Sequence, residues 1–150
     1  DNVRYFKEFA PKDAILAIAG GLGLDEAKEI TYMDDRINLL GALDYASLLA
    51  LYKRSSTFVH LSYLDHCPNV VVDAQAAGCR IICSSTGGTQ EVVKSGIVVQ
   101  EKQWDMKPCQ LYKPPMLDFD KTKKIDLKDN NTNNFEKCVN SYYDIMKEVI

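Results

Sequence analysis

The chain is 150 residues long, 46% apolar and 26% charged, with a net charge of -3. That mixture fits one globular domain burying roughly 68–70% of its unfolded surface, and it excludes wholesale disorder, collagen and coiled coil. No apolar run approaches the roughly 18 residues of a membrane span, and a net negative charge argues against a nucleic-acid partner.

In chain order, residues 14–19, 37–40, 58–61, 80–83 and 97–99 are short Ile-, Val- and Leu-rich runs bounded by Gly, Ser or charge. Such runs predict buried strands. Helical patterns lie between them at 25–30, 45–55, 69–77 and 89–94. Strands buried on both faces and separated by helices predict parallel βαβ units, an α/β sheet with helices on both faces. The predicted core is 14–99. From 101 to 134, Pro108, Pro114, Pro115 and a polar Lys-rich run predict an irregular excursion. A final helix is expected over 135–149, with Phe135, Val139, Tyr142 and Met146 on one face.

Cys67, Cys79, Cys83, Cys109 and Cys138 show no C-x-x-C spacing, and His60 and His66 lie near only Cys67. Metal-ligand spacing is therefore lacking. An odd cysteine count without a secretory pattern predicts reduced thiols and a cytoplasmic location. Asp118-Phe119-Asp120 has Asp-x-Asp spacing but sits in a Lys-rich stretch without further oxygen ligands nearby.

The chemistry-bearing segment is TFVHLSYLDHCPNVVVDAQAAGCRIICSSTGGTQEVV, from Thr57 to Val93. A strand ends near Leu61, a short loop follows, and Pro68 suits the first turn of a helix because its missing N–H is not needed there. The free amides of Asn69, Val70 and Val71 then face the carboxyl edge of the sheet, an anion site reinforced by the helix dipole. Asp65 in the loop and Asp73 one turn into the helix flank that position. Carboxylates accept hydrogen bonds from sugar hydroxyls. A ligand with hydroxyls at both ends and phosphate between them is a nucleotide-sugar.

These residues resemble glycosyltransferase family 4, in the carboxyl-terminal, donor-binding half of the GT-B fold. Asp65 and Asp73 stand at the places of the family's two glutamates, with seven residues between them, and Ala74-Gln75-Ala76-Ala77-Gly78 follows as its Ala-x-Ala-x-Gly element. The apolar strand ending at Gly41, the pattern Leu48, Leu51, Tyr52, then Ser62, and Gly87-Gly88-x-x-Glu91 resemble further family elements in the right order. The resemblance implies a Rossmann-like sheet and a retaining, metal-independent transferase of the hexosyltransferase class, needing no cofactor and using a nucleoside-diphosphate sugar as substrate. It implies that Asp65 is the catalytic-site acid on the transferred sugar. His66, Cys67, Asn69, Val70, Thr86, Gly87 and Gly88 would hold sugar and diphosphate, Asp73 the ribose, and Gly41, Ala42 and Leu43 the base. Glu91 is expected to be a first-turn helix residue.

The sequence departs from the family in two ways. Both acids are aspartates, each withdrawing its carboxylate by roughly 1.5 Å, about one C–C bond. The family's first strand, with its arginine and lysine for the diphosphate, has no counterpart, because residues 14–21 align with the second strand. The expectation is therefore a fragment lacking that mid-sheet strand and the amino-terminal acceptor domain, inactive alone and open to oligomerisation. Alternative readings are a non-catalytic nucleotide-sugar-binding module, a GT-B-like sugar-nucleotide epimerase, or an interaction module using residues 104–117 and the final helix.

Overall fold

The structure, a computed structural model, describes residues 1–21, 34–101 and 115–126. The helices expected at 25–30 and 135–149, and most of the 104–117 surface, lie outside those residues. The described chain runs α1 (Asn2–Phe9), β1 (Leu16–Ala19), β2 (Ile37–Gly41), α2 (Tyr45–Arg54), β3 (Thr57–His60), α3 (Asn69–Ala76), β4 (Arg80–Ser84), α4 (Thr89–Val92), β5 (Ser95–Glu101) and β6 (Leu117–Asp126).

It is an α/β fold of mainly parallel strands flanked by helices. β3, β4 and β5 pair in parallel, with Val59 opposite Ile82 and Ile82 opposite Ile97. β1 and β2 form a separate parallel pair, and no ladder joins the two sets among the described residues. In a doubly wound order this break lies where the sequence reading finds no counterpart for a mid-sheet strand.

The side-chain alternation of β4 and β5 feeds two cores. Ile81, Cys83 and Val98 pack with Tyr52 of α2, Val71 and Ala74 of α3, and Val93. Ile82 and Val99 face the other way, onto Leu61, Leu117, Phe119 and Tyr5 of α1. Strands buried on both faces explain the uninterrupted apolar runs of the sequence.

Two expectations are corrected here. The excursion predicted as irregular over 101–134 contains β6, antiparallel to β5. Its Leu117-Asp118-Phe119-Asp120 start alternates, burying Leu117 and Phe119 while leaving Asp120 exposed and Asp118 ion-paired to Lys121 at 3.4 Å. Lysines along its remainder suit an edge strand, where charge discourages further pairing. The core also extends beyond 14–99, because α1 lays Tyr5 and Phe6 onto it. Tyr5 meets Phe119 edge-on at 5.2 Å, and the Arg4 guanidinium lies 4.3 Å over the Phe119 ring.

Arg36 ties β2 to its surroundings. Its guanidinium bonds Asp34 at 2.7 Å and the Pro11 carbonyl at 3.1 Å, and lies over the Phe6 ring. Hydrogen bonding from Arg36 holds the Asp34 carboxyl down at about 2. Arg4 and Arg36 are thus occupied in holding α1, not in meeting a ligand.

Gly96 permits the closest strand approach in the sheet. A Cβ there would overlap the Ile81 carbonyl oxygen, with a Val93 methyl 3.3 Å away. Overpacking of this kind costs about 1–3 kcal/mol. Gly96→Ala is expected to lower the urea midpoint by that amount without changing the slope; an unchanged midpoint would show that the ladder can spread.

Candidate functional site

β3 and β4 part after the His60–Cys83 pair, and their extensions meet again in an isolated parallel bridge between Asp65 and Gly87. Between these points the buried Ser84 hydroxyl donates to the Ser62 carbonyl at 2.7 Å. Leu64 takes a left-handed conformation, φ 54°, to turn the loop, which costs about 1–2 kcal/mol in a non-glycine residue. The loop is then clamped. Gly88 N–H donates to the Asp65 carbonyl at 3.0 Å, and the Thr89 hydroxyl reaches the same oxygen at 3.4 Å. A Cβ on Gly87 would overlap the Asp65 carbonyl oxygen, and one on Gly88 the His66 carbonyl oxygen. The sequence reading has these glycines admit a ligand; what they admit here is the backbone of the Asp65–His66 loop.

The Asp65 side chain is 33% exposed, and its Oδ2 lies 3.0 Å from His60 Nε2. Cys67 and His66 are exposed beside it. Pro68 is the N-cap of α3 and supplies no side-chain bond. Its carbonyl accepts from Val71 at 3.0 Å and Val72 at 3.3 Å, so Val71 is not one of the free amides the sequence predicted. The Asn69 and Val70 amides remain without a partner among the described residues, at the positive end of an eight-residue helix.

Asp73, one turn on, receives the Tyr45 hydroxyl at 3.3 Å. Tyr45 is exposed and opens α2 after Asp44, whose carboxylate caps the helix by accepting the Ser47 amide at 2.9 Å. The Asp73 charge is the main cause raising the Tyr45 phenol above its usual value, and it adds to the burial that raises Tyr52. Gly41, Ala42 and Leu43 lie immediately before. Gly41 has φ +67°, and its carbonyl accepts the Gly20 amide at 2.8 Å, fixing the end of β2 against β1. The segment expected at the base is therefore linked to the acid expected at the ribose through Tyr45.

Thr86 differs from expectation. Its amide, assigned to the sugar and phosphate side, donates to Glu101 Oε1 at 3.0 Å, and the Ser85 hydroxyl bonds the other carboxylate oxygen. Glu101, at the end of β5, thus holds the start of the Gly-Gly turn. Glu91 sits in the first turn of α4, exposed. A small pocket lined by Asp1, Leu61, Tyr63, Ser84, Glu101, Pro115 and Leu117 lies close by, but none of the expected site residues lines it. The expected site is an open face along the carboxyl ends of β2, β3 and β4.

Three partners escaped the sequence reading. His60 is the one polar side chain in an apolar run, a signal that was visible. Tyr45 is an aromatic residue directly after a helix cap, also visible. Glu101 meets Thr86 across fifteen residues, and nothing local announces that contact.

The cysteines divide by environment. Burial, and then the Glu101 charge, push the Cys83 thiol up to about 11, and burial raises Cys79. At pH 8 roughly one Cys83 in a thousand is then a thiolate, the reactive form. Cys67 is exposed in the loop. Peptide mapping after native maleimide labelling at pH 8 should find Cys67 modified about 100-fold faster than Cys83, because thiolate fraction and access both favour it; equal rates would contradict this burial.

Among the described residues no helix is long and apolar enough to cross a membrane. The family described as "Glycosyl transferases group 1" matches residues 3–107. The chain is also similar to a phosphatidylinositol N-acetylglucosaminyltransferase subunit of Homo sapiens, 26% identical over 87 residues that make up 55% of this chain. It spans about 18% of the length of that relative.

Proposed function

Because the chain belongs to the group 1 glycosyl transferase family, we propose that its open face is the donor site of a retaining glycosyltransferase and binds a nucleoside-diphosphate sugar. The observation that carries the reading is the pair of unpartnered amides at Asn69 and Val70, flanked by Asp65 before the helix and Asp73 within it. Amides at a helix start suit phosphate; the carboxylates suit sugar and ribose hydroxyls. In this assignment Asp65 and the backbone of His66 and Cys67 meet the transferred sugar. Asp73 takes the ribose, and residues 41–43 the base. The amides, rather than a metal ion, take up charge developing on the leaving diphosphate. A second domain supplies the acceptor.

A binding module without transfer is the second reading. It is favoured by Glu101, which already occupies the Thr86 amide.

Calorimetry with nucleoside diphosphates and their sugar conjugates tests the proposal. The human relative's name makes a nucleoside-diphosphate N-acetylglucosamine the first conjugate to try. The expected result is binding with a preference for one base and a further gain from the sugar, in the presence of EDTA. No heat from any nucleotide in the panel would sink the reading. Binding accompanied by no sugar transfer in the protein joined to its acceptor domain would favour the second.

A further inference from the structure

Asp65 is fixed at two points. Its main chain is held by the Gly87 bridge and the Gly88 amide, whereas its carboxylate is held through Oδ2 by His60 Nε2 at 3.0 Å. A carboxylate only accepts hydrogen bonds, so the imidazole nitrogen facing it donates. The histidine is itself seated. Its side chain is 13% exposed, and its ring stacks on Phe58 at 6.2 Å with 15° between the planes. Phe58 in turn meets Tyr52 edge-on at 5.3 Å, within the core beneath α2 and α3. The order Tyr52, Phe58, His60 thus runs from the core to the site and ends on the carboxylate. Asp65 Oδ1 is left with no partner among the described residues, on a side chain one third exposed.

We infer that His60 is the positioning residue for Asp65: it holds one carboxylate oxygen so that the other is aimed at a hydroxyl of the donor sugar. The inference rests on the donor-site reading above. A free aspartate would have to freeze two side-chain torsions each time it met a hydroxyl, and a hydrogen bond tolerates only a few tenths of an ångström of misplacement. Orientation set in advance by a packed ring removes that cost. It matters most for aspartate, whose short side chain cannot search as far as glutamate. The nucleoside end of the ligand never meets Oδ1, so His60 should affect sugar recognition alone.

The test compares the ratio of affinities for the nucleoside-diphosphate sugar and its parent nucleoside diphosphate, by calorimetry on the full 150-residue chain. His60→Phe keeps a stacked ring and removes the donor. His60→Gln removes the ring and keeps a nitrogen donor near the position of Nε2. His60→Phe is expected to lower the sugar-to-nucleotide ratio about tenfold, as loss of an oriented charge-assisted hydrogen bond implies, and to leave nucleotide affinity unchanged. His60→Gln should restore the ratio to within about threefold of the wild type. In an Asp65→Asn background, His60→Phe should change the ratio no further, because the histidine acts through that carboxylate. A wild-type ratio in His60→Phe overturns the inference. So does an equal loss in Phe and Gln variants, which would make the role one of ring packing. A wild-type chain that binds nucleotide with no gain from any sugar overturns the donor-site reading itself.

Discussion

Gly87→Ala is expected to separate the Asp65 loop from the Gly-Gly turn, at a cost of about 2–4 kcal/mol in stability and about 100-fold in donor affinity. Two effects add. The residue sits at φ +87°, where a side chain costs about 1–2 kcal/mol. Its Cβ would also overlap the Asp65 carbonyl oxygen, so main chain must move against main chain. Overpacking against a rigid neighbour adds about 1–3 kcal/mol. Gly78 separates the two contributions. It has φ +100° but nothing within 4 Å of an added Cβ, so Gly78→Ala should show the conformational cost alone. Urea unfolding of both variants measures the difference, and calorimetry measures the binding. Equal destabilisation would mean that the loop is not clamped. Full donor affinity in a destabilised Gly87→Ala protein would mean that the clamp does not shape the site.

Strands β3, β4 and β5 were legible because burial on two faces leaves apolar runs that need no partner to be recognised. β6 was not, since its alternation of Leu117 and Phe119 with aspartates spans only four residues before the lysines begin. Charge at an edge reads the same as charge in a loop. α1 was missed for a related reason: the Asp1 N-cap makes no side-chain bond, and only Tyr5 and Phe6 are buried. Its helical state is decided by Phe119 and Arg36, which are distant in sequence. The site divides in the same way. The bridging of Asp65 to Gly87 follows from two motif elements that each close a strand, and it could be anticipated from spacing. The occupants of the carboxylates and of the Thr86 amide could not, because His60–Asp65, Tyr45–Asp73 and Thr86–Glu101 are choices of side-chain direction. Spacing places a residue at an edge; packing decides which neighbour it faces.

The two aspartates should separate by ligand. Asp73→Asn is expected to weaken a nucleoside diphosphate and its sugar conjugate alike, by about 10–100-fold, since a hydrogen bond to a charged group contributes about 1.5–3 kcal/mol. Asp65→Asn should weaken only the conjugate, by a similar factor, because the carboxylate held by His60 lies on the loop side of the free amides and Asp73 on the helix side. A readout independent of ligand accompanies the first variant. The Asp73 charge is the largest cause of the raised Tyr45 phenol, because a nearby negative charge disfavours tyrosinate. Removing it should bring Tyr45 back down toward its ordinary value, visible as an earlier rise in ultraviolet absorbance on alkaline titration. That shift with no change in nucleotide affinity would leave Tyr45 and Asp73 paired but take the ribose away from them. Equal losses for both ligands in Asp65→Asn would remove that carboxylate from the sugar and place it on the nucleotide.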